Sequence, residues 1–182
     1  MSEQSMKTQL APKYFVFDVE SIGLHGEPYA VGWTVIDAEG REIESGKMAV
    51  DPDGVHGDGD DREWVNANIP SINITHLCLR DVLIDFWSKW MQWKKEGVLM
   101  FAECTWPVEA KFLSMALHAQ PAMKWEGPYP FHDVASVMLA VGMDPTATYE
   151  RLPAELPKHD PLADARQSAR LLINALKKGS SR

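Results

Sequence analysis

The sequence reads as a single α/β domain, and three features of its patterning say so. Residues 14–17 (YFVF) form an unbroken apolar run of aromatic and β-branched residues, as a strand buried on both faces does. Two further strand-like runs follow directly. After them the periodicity turns helical, interrupted by one short apolar stretch. A length of 182 residues suits one domain with a full core and is short for two.

Taken in order, residues 1–12 read as a flexible arm, and the first strand opens at Tyr14. Gly26-Glu27-Pro28 marks a turn, residues 30–37 (AVGWTVID) a second strand, and residues 41–50 a third. The polar turn Asp37-Ala38-Glu39-Gly40 joins the last two as a hairpin. Residues 51–61 (DPDGVHGDGDD) read as a solvated loop. Gly54 comes too early for a calcium-binding EF-hand, and no glutamate closes a twelve-residue loop. A short helix over 61–66 and a loop over 66–73 come next.

Residues 79–95 carry Val82, Leu83, Phe86, Trp90 and Trp93 at helical spacing, which makes those tryptophans core residues. Lys94, Lys95 and Gly97 end that helix with cations and a C-terminal glycine. Residues 98–102 (VLMFA) are a short buried strand. A helix capped by Thr105 runs to His118, and a proline-rich loop fills 120–130. Asp133 caps a helix over 133–141. The segment 143–157 is irregular, with a short helix expected at 149–152. A periodic helix occupies 161–178, and residues 179–182 (GSSR) read as a flexible tail. Residues 13–178 are thus the expected domain.

The chemistry begins in the first strand. Asp18 and Glu20 are two residues apart, so a side-chain period of two aims both carboxylates at the same face. Two such groups at the end of a buried strand repel each other and are costly to desolvate. A divalent cation relieves both penalties, and carboxylate oxygens suit Mg²⁺ or Mn²⁺.

Composition narrows the setting. At 45% hydrophobic and 24% charged residues, the chain is that of an ordinary globular protein. Its longest apolar runs fall far short of a membrane span, and the N-terminus lacks a signal-peptide core. Cys78 and Cys104 make no CxxC or zinc spacing and read as reduced thiols of a cytoplasmic protein. A net charge of −8 argues against a large basic nucleic-acid surface, though not against gripping a few nucleotides at a chain end.

Residues 17–24, FDVESIGL, resemble the FDxETTGL signature of the DEDDh-type 3′→5′ exonucleases, whose fold is RNase H-like. His159-Asp160-Pro161-Leu162-Ala163-Asp164-Ala165 resembles that family's HxAxxDA element, with Pro161 in place of the usual alanine. Proline suits the first turn of a helix. The middle motif, FDxxFL, departs further. Residues 108–113 (VEAKFL) take its place, so Glu109 replaces the aspartate, while Glu103 at the strand's end is a rival ligand. The Phe112-Leu113 register favours Glu109.

The resemblance spans Tyr14 to Leu172 and implies a mixed five-stranded sheet flanked by helices. It also implies hydrolysis of 3′-terminal phosphodiester bonds of DNA or RNA with two Mg²⁺ or Mn²⁺ ions. In that scheme Asp18 bridges the ions, Glu20 and Asp164 hold one of them with Asp18, and Glu109 or Glu103 helps position the other. His159 is the general base, since its free pKa lies near neutrality. Ser21 and Leu24 contact the terminal nucleotide, Leu24 as a wedge, and Trp106 is counted among the substrate contacts. The acidic surface favours short or single-stranded nucleic acid, and relatives are often homodimers. The alternative reading is a non-catalytic module that binds nucleic-acid ends or nucleotides.

Overall fold

The structure, a computed structural model, describes residues 11–181. Residues 1–10 of the expected arm and Arg182 of the expected tail lie outside that range. Strands β1 (Tyr14–Ser21), β2 (Pro28–Ile36) and β3 (Glu42–Ala49) come first, then helices α1 (Gly59–Asn68) and α2 (Leu79–Lys94). Strand β4 (Leu99–Ala102), helix α3 (Val108–Ala119), strand β5 (His132–Asp133), helix α4 (Val134–Ala140) and helix α5 (Pro161–Ser180) complete the chain. The five strands form one sheet in the order β3-β2-β1-β4-β5. The pairs β1–β2 and β2–β3 are antiparallel, while β1–β4 and β4–β5 are parallel. This is the mixed, helix-flanked sheet expected from the sequence.

The β2–β3 turn closes on itself. Asp37 Oδ1 accepts the backbone N–H groups of Glu39 (3.0 Å) and Arg41 (2.9 Å). Gly40 adopts φ +89°, a left-handed conformation that glycine takes without a steric cost.

The pleat of β1 divides the core into two layers. Phe15, Phe17 and Val19 face α2 and α3, where Phe86, Trp87, Trp90 and Phe112 are buried with them. The rings of Phe15 and Phe17 lie 5.8 and 5.2 Å from Phe86. Tyr14 and Val16 face the other way, onto Val134 and Met138 of α4 and Leu172 of α5. Asp18 and Glu20 continue this second face. The central strand therefore delivers its carboxylates to the side where α5 packs, at the open end beyond Val16.

Several boundaries differ from the sequence reading. Helix α1 runs over Gly59–Asn68, reaching into the stretch read as loop on either side of 61–66. Helix α3 begins at Val108 with Pro107, not Thr105, at its N-cap and no side-chain capping bond, and the Thr105 N–H donates to Asp133 Oδ2 at 3.0 Å. His132-Asp133, read as part of a helix opening, is the fifth strand, paired with Phe101-Ala102. No helix forms at 149–152. A 3₁₀ turn lies just beyond it at Pro153–Glu155, where the Glu155 carboxylate accepts the Leu152 N–H at 3.0 Å. Helix α5 continues two residues past the expected end, through Ser180.

Candidate active site

Strand β1 supplies Asp18 and Glu20, and the sheet makes room for the helix that meets them. Asp18 lies opposite Gly32 of β2. A Cβ at Gly32 would stand 2.2 Å from the Leu162 nitrogen and 2.3 Å from the Pro161 carbonyl carbon. Only glycine lets the first turn of α5 sit so closely on the sheet. That turn is fixed by Asp160, whose Oδ1 accepts the N–H groups of Leu162 (3.1 Å) and Ala163 (3.2 Å). Lys47 of β3 forms an ion pair with the same carboxylate. One turn on, buried Asp164 projects toward β1.

His159 precedes the cap with φ +64°, in the left-handed region that a non-glycine residue occupies only when its surroundings hold it there. Its backbone N–H donates to Asp164 Oδ2 at 3.2 Å, which ties the histidine to the helix it introduces. As a result Glu20, His159 and Asp164 each offer a ligand atom within 4.8 Å of the others. Glu109 enters from the opposite layer, in the first turn of α3, and is buried. Glu103 is exposed at the end of β4 and accepts a hydrogen bond from Ser168 Oγ at 3.3 Å.

The electrostatics single out Asp18 as the hub. Burial drives its carboxyl well above the usual range, and the charges of Glu20, Glu109, Asp164 and Glu103 all push it further. Glu20 rises to about 8, first through burial and then through Asp164, Glu109 and Asp160. Glu109 rises to about 7 through burial. The backbone amides of Glu109 itself and of Val19 pull it back, and Glu103 and Asp133 add repulsion. Burial lowers the His159 pKa, Asp164 opposes that, and Lys158 and Arg151 reinforce it. The imidazole is accordingly neutral near pH 7.

This donor set fits a divalent cation. Asp18, Glu20 and Glu109, raised first by burial and then by neighbouring carboxylates, are groups that positive charge would stabilise in ionised form, and carboxylate oxygens suit Mg²⁺ or Mn²⁺. The group with ligand atoms close enough to hold an ion is Glu20, His159 and Asp164, and Asp18 lies outside it, two residues from Glu20 along β1.

A cleft of about 460 Å³ opens over the cluster, lined by Glu20, Ser21, Leu24, Asp61, Trp64 and His159. A second hollow of about 380 Å³ adjoins it, lined by Trp106 and Lys111 and sharing Leu24. Leu24 is 63% exposed between the two, and Trp106 is 74% exposed. Ser21 Oγ donates to the Gly23 carbonyl at 2.6 Å, which shapes the turn that presents Leu24. Asp133 caps α4, accepting the Ser136 N–H at 2.6 Å, as expected of it.

Three neighbours of the cluster escaped the sequence reading. Trp64 of α1 meets the His159 ring edge-on, 5.7 Å between centroids at 80°. Asp61 stands where a Cβ on Gly23 would be. Arg151 donates from Nη1 to Asp164 Oδ1 at 2.5 Å. For Trp64 a signal was present, a large aromatic in a strongly acidic run, where nothing local needs it for a core. Asp61 and Arg151 left none, because a contact between distant surface residues has no periodicity.

No protein-family model matches the chain, and no curated protein does. Among solved structures, it is similar to product-bound exonuclease I, with a TM-score of 0.56 and 13% identity over 94% of this chain and 44% of that one. It is also similar to a full-length 3′-exonuclease, with a TM-score of 0.50 and 14% identity over 93% of this chain and 83% of that one. The chain thus spans less than half the length of exonuclease I. At these identities the likeness establishes the fold, an RNase H-like α/β domain shared with 3′-exonucleases. Among the described residues no helix is long and apolar enough to cross a membrane.

Proposed function

We propose that the chain is a divalent-metal-dependent 3′→5′ exonuclease of the DEDDh kind, with residues 13–178 as its catalytic domain. The observation that carries this reading is the convergence of Glu20, His159 and Asp164 within 4.8 Å, beside Asp18, in a cleft on a fold shared with 3′-exonucleases.

Asp18, Glu20 and Asp164 would hold the cations, with Glu109 completing the set from α3. Bound there, two Mg²⁺ or Mn²⁺ ions would supply positive charge to the phosphate as it gains negative charge. Glu109 is preferred over Glu103 because it is buried and is among the charges acting on both Asp18 and Glu20, whereas Glu103 acts on Asp18 but not on Glu20.

His159, neutral and within reach of the carboxylates, takes a proton from the attacking water. The water oxygen bonds to the phosphorus, and the bond from phosphorus to the 3′-oxygen of the penultimate nucleotide breaks. That oxygen takes up a proton, and a nucleoside 5′-monophosphate leaves. Ser21 and Leu24 line the cleft that would take the terminal nucleotide, and Trp64 and His159 line it too. The hollow beyond Leu24, with Trp106 and Lys111, suits the preceding nucleotide through stacking and charge.

The net charge of −8 favours short or single-stranded nucleic acid over long duplexes. The reading takes the protein as cytoplasmic, where its two exposed free cysteines stay reduced, and as a homodimer. The test is incubation with 3′-labelled single- and double-stranded DNA and RNA, in Mg²⁺ or Mn²⁺, with product length read out. Release of mononucleotides, stopped by a chelator, is expected. Binding of ends without release would favour the non-catalytic module instead.

A further inference from the structure

We infer that Arg151 is a phosphate-binding residue of this site, holding Asp164 with one nitrogen and offering its remaining donors to a non-bridging oxygen of the substrate phosphate. This rests on the nuclease reading and adds a substrate contact that the three sequence motifs do not contain.

Arg151 lies in the segment before the 3₁₀ turn, thirteen residues ahead of Asp164 in sequence, and its guanidinium reaches the cluster. Nη1 is shared between Asp164 Oδ1 at 2.5 Å and the Glu155 carbonyl at 2.8 Å. Nε and Nη2 have no acceptor in the chain among the described residues, and neither is a buried orphan. Both therefore reach solvent, although the side chain is only 17% exposed. A guanidinium spreads five N–H donors over a rigid plane, and a phosphate accepts two of them side by side. Half of the fork is thus fixed against a carboxylate of the cluster while the other half is open.

The arm is also pre-set. The next residue, Leu152, has its N–H tied to Glu155 Oε2 at 3.0 Å. Glu155 is buried, and Arg170 of α5 grips it through Nε (2.6 Å) and Nη2 (2.8 Å). On the other side Arg170 Nη2 donates to the Glu150 carbonyl at 2.8 Å, so Arg151 is held on both sides of its own backbone and by its tip, and little ordering entropy remains to be lost when a phosphate arrives. With Nη1 held by Asp164, Nε and Nη2 keep donors for a second anion, and a phosphate oxygen takes such donors side by side.

The test is calorimetric titration of a nucleoside 5′-monophosphate, and separately of the matching nucleoside, into Mn²⁺-saturated protein. Each variant is first loaded according to its own Mn²⁺ titration. Wild type is expected to bind the monophosphate more tightly than the nucleoside. R151Q should lose tenfold or more of that preference while binding the nucleoside as wild type does, and R151K, which keeps the charge without the fork, should fall between them. Thermal melts check that both variants fold. Equal weakening of nucleoside and monophosphate in R151Q would make Arg151 a mere support of Asp164 and overturn the assignment, as would an unchanged preference. If wild type itself shows no preference, the role of Arg151 falls. If wild type also releases no mononucleotides, the nuclease reading falls with it, and the two failures are told apart by that assay.

Discussion

Replacing Glu20 by Gln should stabilise the metal-free protein, and the gain should grow with pH. Glu20 is buried among carboxylates that raise its pKa from 4.5 to about 8. Between those values the folded protein retains a proton that the unfolded chain gives up, so stability falls as pH rises through the window. At roughly 1.4 kcal/mol per pKa unit, the accumulated cost by pH 8 has an upper bound of about 4 kcal/mol. Glutamine has the shape of the protonated acid and carries no such penalty. For a domain of this size each kcal/mol moves Tm by about 2–4 °C. In chelator, E20Q should therefore melt at least about 5 °C above wild type at pH 8, and within about 2 °C of it at pH 5. Saturating Mn²⁺ should raise wild type at pH 8 by more than it raises E20Q. The reasoning fails if the two proteins differ equally at both pH values, or if E20Q is the less stable at pH 8.

Asp18→Asn should abolish mononucleotide release at every Mn²⁺ concentration, and its metal-free Tm at pH 8 should equal or exceed wild type, because burial and four neighbouring carboxylates all oppose the wild-type charge; retained activity would remove Asp18 from the mechanism. His159→Ala should lower turnover about 10²–10⁴-fold with substrate binding intact. The acidic limb of the wild-type pH–rate profile should lie below 6.5, since burial depresses the imidazole, and a limb that persists in the variant would assign it to another group. Glu109→Gln should need more Mn²⁺ for activity than Glu103→Gln. The reverse order would make the exposed strand-end carboxylate the ligand.

The parts of this fold that follow a short-range rule were legible in the sequence. The alternation of β1 separates Phe15 and Phe17 from Tyr14, Val16, Asp18 and Glu20, and the two core layers divide along that line. The third motif was readable for a related reason, because its residues are consecutive and the cap at Asp160 fixes the geometry on both sides of it. What could not be read depends on pairing at a distance. Strand β5 is two residues long and owes its existence to β4 alongside it. Its residues carry no periodicity, and Asp133 also caps α4, so a helix start was the natural reading. Helix α1 outran its expected bounds because it is polar nearly all round, with Val65 its one buried residue, and it owes its position over the cleft to contacts such as Trp64 with His159.

The middle motif lies between these cases. Phe112 and Leu113 are both buried in the layer beneath β1, and in a helix a residue three or four places earlier shares their face. That places Glu109 against the strand without any knowledge of how α3 begins, and α3 in fact begins later than its sequence suggests. Glu103 has no such constraint. It follows the last residue of β4, where direction is set by the turn, and it emerges exposed. The longer glutamate arm also has a physical setting. Glu109 comes from the layer opposite α5, and its carboxylate accepts the Val19 N–H of β1, beside a cluster that β1 and α5 build on their own side. An aspartate at 109 would end one methylene shorter from the same backbone, and E109D is therefore expected to weaken Mn²⁺ binding rather than restore a family pattern.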